Sequence, residues 1–181
     1  IVFLGGTPGA ASSVTFFNAF KEALKAYPGL SLVEDNFVVT NWDPGQKKKV
    51  MTALLSKYGY IDGVVSDYTT TDTGVIDAYT AAKQKLPALA GQASANVNAQ
   101  QWQKKNFPFF SLDATTTPVK RALRFALAAL AGKTTSEPAL GKLSTYIDTT
   151  TKKNPKFYAD LPLGADASSS LTLSQLKEAI K

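Results

Sequence analysis

Short apolar runs and amphipathic stretches alternate over the first 113 residues of the chain. Five runs rich in valine, isoleucine, leucine and phenylalanine predict strands, and after each of the first four the apolar positions recur at helical spacing. The predicted strands lie at residues 1–4, 32–40, 60–66, 86–90 and 107–111. This alternation predicts an α/β fold, a parallel sheet with helices on both faces, for which the flavodoxin-like strand order 2-1-3-4-5 is the default.

Local signals refine these elements. A hydroxyl at Ser12 or Ser13 is placed to cap the first helix, and Asp72 or Thr73 is placed to cap the third. Pro108 falls second in the fifth run, and because proline cannot donate to a ladder, we expect that strand at an edge. The first 113 residues are therefore expected to form one α/β unit.

The pattern changes after Asp113. An apolar helix, a weaker stretch that predicts a helix or a single-turn loop, an extended segment and a terminal amphipathic helix opened by Thr172 or Ser174 follow. They lie at residues 118–130, 138–147, 156–163 and 171–180. The first of these helices has a broad apolar face with little in the chain to cover it, and such faces mark interfaces. We therefore place a boundary near residue 114 and expect self-association through the apolar helix.

Composition excludes several kinds of site. Among its 181 residues the chain has no cysteine and no histidine, which excludes a cysteine nucleophile, a Ser-His-Asp triad and a thiolate or histidine metal site. We expect no metal and no other cofactor. The net charge is +6, and lysines cluster at 47–49, 104–105 and 152–153. Without interleaved aromatic residues, these clusters are interpreted as solvated helix faces, and nucleic-acid binding is not expected.

Polar side chains follow the predicted strands at their carboxyl ends, where open α/β sheets bind ligands. The glycine-rich turn after strand one carries Thr7 and Ser12, but it lacks the spacing of a dinucleotide site and the lysine of a P-loop. Asp67 and Tyr68 follow strand three, where a carboxylate can accept bonds from hydroxyls and a ring can cover the apolar face of a sugar. These residues favour a polyol site over a phosphate site.

Further candidates follow the other strands. Gln92 comes after strand four and Asp113 after strand five, and each can either bind hydroxyl groups or serve as an ordinary loop residue. Trp42 and Asp43 follow strand two, but Asp43 and Gln46 have the spacing of a capping box. We therefore assign Trp42 and Asp43 to structure rather than to ligand binding.

Six stretches stand in an order and at spacings that resemble one family, although no single motif is diagnostic. They are residues 6–13, 20–29, 41–43, 61–68, 86–91 and 127–133. In this order they resemble the periplasmic sugar-binding proteins of the ribose-binding type, which are solute receptors of ABC importers. The resemblance implies two α/β lobes around a sugar cleft, with three crossings of the chain between the lobes.

The resemblance also implies a division of the chain. Residues 1–113 would be the second lobe, and a first lobe would precede Ile1. Residues 114–155 would be crossover helices belonging to that first lobe, and residues 156–181 would be the return segment and terminal helix. The implied function is not enzymatic: the protein would bind a monosaccharide, serve the membrane permease of an ABC importer, and be periplasmic or extracellular. With half a cleft, this chain alone would bind sugar weakly or not at all.

Binding positions of the family can be carried over one at a time. The family's second-lobe arginine falls on Phe16, and its asparagine after strand three falls on Tyr68. Its aspartate after strand four falls on Gln92 or Ala93, and its crossing glutamine falls near Asp113. Together with the strand-end residues, the candidate ligand-binding residues are Thr7, Ser12, Phe16, Asp67, Tyr68, Gln92 and Asp113.

Two other functions fit a parallel α/β unit. The effector-binding core of a lactose-repressor-type transcription regulator has the same fold, and a helix-turn-helix preceding Ile1 would identify it. A small α/β enzyme using Asp67 with a lysine or tyrosine is disfavoured, because the sequence has no histidine and no paired-carboxylate motif.

Overall fold

The computed structural model describes residues 1–113, 116–138, 141–166 and 171–180. The strands are β1 Val2–Gly5, β2 Val38–Val39, β3 Gly63–Ser66, β4 Ala88–Gln92, β5 Phe109–Leu112 and β6 Thr145–Asp148. The helices are α1 Ala11–Leu24, α2 Pro44–Tyr58, α3 Thr73–Ala81, α4 Asn96–Lys105, α5 Thr116–Leu130 and α6 Leu173–Ala179. Within the described residues the strands form one six-stranded sheet in the order β2-β1-β3-β4-β5-β6. The boundary predicted at residue 114 lies outside them.

The first five strands run parallel in the order 2-1-3-4-5, which confirms the predicted fold class. A further strand, β6, pairs antiparallel with β5, so that Ser111 lies opposite Ile147. The helix or single-turn loop predicted at 138–147 is therefore wrong for its last residues, because so short a strand shows too little alternation to be recognised. Residues 139 and 140 lie outside the described residues.

The position of β5 inside the sheet also contradicts the edge expected from Pro108. The proline precedes the strand instead of lying within it, and its carbonyl accepts a hydrogen bond from Leu89 N at 2.9 Å. The missing N–H of Pro108 therefore removes no hydrogen bond from the strand ladder. At the other edge, β2 is only two residues long although a strand was predicted over 32–40. Part of the remaining stretch is held by the Tyr58 hydroxyl, which donates to Val33 O at 2.8 Å.

Alternate residues of β1 face two different layers of helices, as predicted. Val2 and Leu4 belong to the main core, which they share with residues of α2 and α3. Phe3 lies on the other face of the sheet, against α1. Its ring centroid lies 5.7, 5.3 and 5.6 Å from those of Phe16, Phe17 and Phe20. Helices therefore pack against β1, whose carboxyl end leads to the glycine-rich turn, on both faces of the sheet.

Two of the predicted helix caps are wrong. Helix α1 begins at Ala11, before both predicted caps, and Ser13 lies buried in its first turn. The Asp72 side chain does not cap α3, because it is paired with a buried lysine described below. The cap of α2 is confirmed: Asp43 accepts a hydrogen bond from Gln46 N at 2.7 Å. The Ser13 and Asp72 side chains instead form buried hydrogen bonds with Asp67 and Lys47.

The chain after β6 docks against the start of α4. The stretch predicted as extended at 156–163 is irregular, and the buried amide of Asn96 holds its backbone. Asn96 Nδ2 donates to the carbonyls of Tyr158 and Leu161 at 2.8 and 3.1 Å, and its Oδ1 accepts from Tyr158 N at 2.9 Å. Helix α6 follows and is capped by Thr172, one of the two predicted residues.

Helix α5 exposes the apolar face that the sequence predicts. Its large apolar side chains Val119, Leu123, Leu127 and Leu130 are 68%, 58%, 56% and 85% exposed. On another side of the helix, Arg121 Nε pairs with Glu137 Oε2 at 3.5 Å. Within the described part of the chain, this apolar stripe therefore faces outward.

We predict that Gly74→Ala destabilises the fold. An added Cβ would lie 1.9 Å from Pro44 O and 2.9 Å from Lys48 N, where α3 crosses α2, so the two helices would have to separate. Overpacking of this kind costs about 1–3 kcal/mol or more of unfolding free energy. The matched control is Gly29→Ala, since no atom lies within 4 Å of a Cβ there. Urea unfolding of both variants measures the difference, and equal midpoints would contradict the prediction.

Candidate ligand-binding site

A cavity of about 330 Å³ lies at the carboxyl ends of the strands. Its lining comes from α1, from the loop after β2, from the turn after β3 and from the end of β4. The lining residues are Ser12, Trp42, Asp67, Tyr68 and Gln92. Small-molecule sites typically enclose about 300–1,000 Å³, so the cavity is large enough for a small ligand.

Asp67 connects three walls of this cavity. Its Oδ2 accepts a hydrogen bond from the Ser13 hydroxyl at 2.5 Å, and its Oδ1 accepts one from Trp42 Nε1 at 3.0 Å. Its backbone carbonyl accepts from Gln92 Nε2 at 3.1 Å. Each carboxylate oxygen has a second acceptor position, so the side chain can still bind a hydroxyl group of a ligand.

Trp42 owes its place in the cavity to an unusual backbone and to a glycine. Its φ is 52°, in the left-handed region that few residues with a side chain adopt. The indole lies over Gly6, where an added Cβ would come within 2.1 Å of the ring. Our assignment of Trp42 to structure therefore missed a residue of the cavity lining. Its position directly after a strand end was the signal that could have found it.

A buried ion pair lies next to the turn that carries Asp67 and Tyr68. Lys47 is fully buried, and its ammonium donates to Ser66 Oγ, Tyr68 O and Asp72 Oδ1 at 2.6, 2.8 and 2.6 Å. The interpretation of 47–49 as a solvated face is wrong for Lys47 and holds for Lys48 and Lys49, which are exposed. Burial raises the pKa of the Asp72 carboxyl, and the neighbouring Lys47 ammonium opposes that rise.

The structure brings four of the seven predicted site residues together. These are Ser12, Asp67, Tyr68 and Gln92. Thr7 is exposed in the turn after β1, and the Phe16 ring packs on Phe3. Asp113 is buried beyond β5, where its backbone N–H donates to Ser144 O at 2.9 Å. These last three residues do not line the cavity.

The arrangement is suited to binding a polyhydroxylated ligand. A carboxylate, a carboxamide and a hydroxyl can exchange hydrogen bonds with ligand hydroxyls, and two aromatic rings can cover an apolar face. Within the described ranges, no three acidic side chains are grouped so that they could hold a metal ion. In the same residues, no helix is long and apolar enough to span a bilayer.

A family model described as a periplasmic binding protein domain matches residues 1–134. Because this match covers well over half of the chain, the chain belongs to the periplasmic binding protein family, a family of solute-binding proteins. The family suggested by the sequence is thereby confirmed. A search of curated proteins finds no match.

Solved structures share the fold at low sequence identity. A periplasmic solute binding protein of an ABC transporter from Actinobacillus succinogenes 130z, with bound D-allose, has a TM-score of 0.70 and 17% identity. The match covers 83% of this chain and 53% of that one. For the arabinose ABC transporter component of Shewanella sp. ANA-3, bound to α- and β-L-arabinofuranose, the TM-score is 0.66 and the identity 16%. That match covers 80% of this chain and 49% of the other, so this chain spans about half of each relative.

We predict that two adjacent serines of α1 respond differently to substitution. Ser13→Ala removes the acceptor of the buried Gly6 N–H and one donor to Asp67, so it should cost about 1–3 kcal/mol of unfolding free energy. Ser12 is exposed at the cavity, and Ser12→Ala should change stability by less than about 0.5 kcal/mol. Chemical denaturation of both variants compares the costs. Similar losses of unfolding free energy for the two variants would contradict the structural role predicted for Ser13.

Proposed function

We propose that the protein is a sugar receptor of an ABC importer and binds a monosaccharide in a cleft between two lobes. The observation that carries the proposal is the cavity at the strand ends, where two aromatic rings, a carboxylate and a carboxamide converge in a periplasmic binding protein fold. Its solved relatives include proteins with bound allose and arabinofuranose.

Each residue of the lining has a proposed role. Asp67, Gln92 and Ser12 hold sugar hydroxyls, while Tyr68 and Trp42 cover an apolar face of the ring. The predicted ligand contacts of Thr7 in the turn after β1, Phe16 on α1 and Asp113 after β5 remain proposals, although none of the three lines the cavity. A second lobe would supply the opposite wall of the proposed cleft.

The division of the chain follows the same proposal. Residues 1–113 would form one lobe, and residues 114–155 would belong largely to the other. Strand β6, within that stretch, pairs with β5, and Asn96 holds the backbone at Tyr158, as expected where the chain returns to the first unit. Helix α5 packs on the other lobe, which explains its exposed apolar stripe. The protein would work outside the cytoplasmic membrane, in the periplasm or at the cell surface, and would deliver its sugar to the permease.

A receptor with this fold need not serve a transporter. A fructose-binding periplasmic domain of a hybrid two-component system matches with a TM-score of 0.68 at 17% identity. The effector core of a lactose-repressor-type regulator is the other alternative. The sequence preceding Ile1 distinguishes a receptor of either kind from that regulator: an export signal and a further α/β lobe fit a receptor, whereas a DNA-binding helix pair fits a regulator.

We predict that sugar binding changes the fluorescence of Trp42 in the full-length protein. The chain has two tryptophans, and Trp102 lies away from the cavity with its N–H bonded to Phe107 O. Titration with D-allose, L-arabinose, D-galactose and D-fructose should give a saturable signal with at least one of them. The signal should persist in Trp102→Phe and lose the contribution of Trp42 in Trp42→Phe. If neither calorimetry nor fluorescence detects binding of any of these sugars, the proposed ligand class is wrong.

We further predict that the 181-residue chain alone self-associates through α5. Leu123 and Leu127 are 58% and 56% exposed, and a second copy can cover them when no other lobe does. Sedimentation should therefore show concentration-dependent association that Leu123→Glu with Leu127→Glu abolishes. Ala129→Glu, an exposed site outside the stripe, is the control. A monodisperse monomer at all concentrations would contradict the prediction.

A further inference from the structure

Lys47 is unusual because a lysine is almost never fully buried unless it is paired. All three of its ammonium hydrogens have an acceptor, namely Ser66 Oγ, Tyr68 O and Asp72 Oδ1. The neighbouring lysines of α2 are exposed, so the burial belongs to this position and not to the helix face as a whole.

The three acceptors span the turn that carries the cavity residues. Ser66 ends β3, Tyr68 lines the cavity, and Asp72 precedes α3. One cation therefore joins the beginning, the middle and the end of the stretch from 66 to 72. Asp67, which lies inside this stretch, has its backbone and side chain bonded on the cavity side.

Stability alone is a poor explanation for such a pair. Moving two charges out of water is costly, and replacing a buried ion pair by apolar side chains of similar size is often neutral or stabilising. An apolar pair could fill the same space but could not hold the carbonyl of Tyr68. The contact that only the charged pair supplies is therefore the one to the cavity turn.

We propose that the buried Lys47–Asp72 pair positions the turn from Ser66 to Asp72 so that Asp67 and Tyr68 face the ligand. This inference rests on the proposed sugar-binding function and names the positioning residues of that same site. Neither Lys47 nor Asp72 lines the cavity, so both act through the turn and not on the ligand itself.

The turn keeps other bonds when the pair is removed. Tyr68 O also accepts from the Thr71 hydroxyl at 3.1 Å, and Ser66 Oγ accepts from Tyr68 N at 3.3 Å. A variant without the pair should therefore fold, but with a looser turn. The expected signature is faster local opening and weaker ligand binding without a matching loss of global stability.

The test uses the full-length protein with Lys47→Met combined with Asp72→Val. The control is Lys57→Met combined with Glu34→Val, which removes a partly exposed ion pair of 3.0 Å between Lys57 of the same helix and Glu34 of the segment before β2. Lys57 and Glu34 lie outside the cavity lining, so the control reports the loss of a lysine–carboxylate pair elsewhere in the protein.

Three readouts separate positioning from a purely structural role. Amide hydrogen exchange at residues 67–71 should become about tenfold faster or more in the test variant, and stay unchanged in the control. The melting temperature should stay within about 4 °C of the parent protein. Affinity for the sugar that the parent binds, among D-allose, L-arabinose, D-galactose and D-fructose, should fall roughly ten- to hundred-fold.

The outcomes separate this inference from the proposed function. If the parent binds none of the four sugars, the proposed function fails, while the exchange rates at 67–71 still decide whether the pair holds the turn. Unchanged exchange overturns the inference, as does parent-like affinity. A large fall in melting temperature with exchange faster throughout the protein also overturns it, because the pair would then be a general stabilising element.

Discussion

The geometry of the site depends on the hydrogen bonds of Asp67. Parallel strands end at one side of the sheet, and this one residue, which follows β3, connects α1, the loop after β2 and the end of β4 there. The bonds from Ser13 and Trp42 go to the carboxylate, and hydrogen bonds to a carboxylate are stronger than those between neutral groups. The walls of the cavity and its most polar group therefore cannot shift independently of each other.

The two carboxylates of the turn after β3 have different surroundings. Asp72 is fully buried and has a lysine ammonium at 2.6 Å, so its charge is compensated inside the protein. Asp67 is held by neutral donors, a hydroxyl and an indole N–H, and lies at the cavity. A carboxylate in neutral surroundings remains a strong acceptor for ligand hydroxyls. The separation of these roles allows an acidic turn to be both rigid and able to bind.

Much of the fold could be predicted from the sequence, because five strands and their helices have clear periods. The rule that ligands bind at strand ends also pointed to Ser12, Asp67, Tyr68 and Gln92, and these four residues line one cavity. Burial of Lys47 could not be predicted, because its partner Asp72 lies 25 residues away and only the crossing of α2 and α3 joins them. Trp42 was missed because its neighbour Asp43 has a sufficient structural role, and no sequence pattern shows that the backbone turns the indole over Gly6.

The exposed helix α5 lies between two adjacent strands in the path of the chain. Among the described residues, none of α5 belongs to the main core, and the chain leaves the sheet after β5 and re-enters it as β6. These two strands are hydrogen-bonded to each other, and Asp113 N also donates to Ser144 O where the strands meet the loops. The segments on either side of α5 are thus joined to the sheet through two adjacent, hydrogen-bonded strands. Under the two-lobe proposal, a lobe that covers α5 would be attached through these two strands, and rotation there would open or close the cleft, which is how a hinge couples ligand binding to a change of shape.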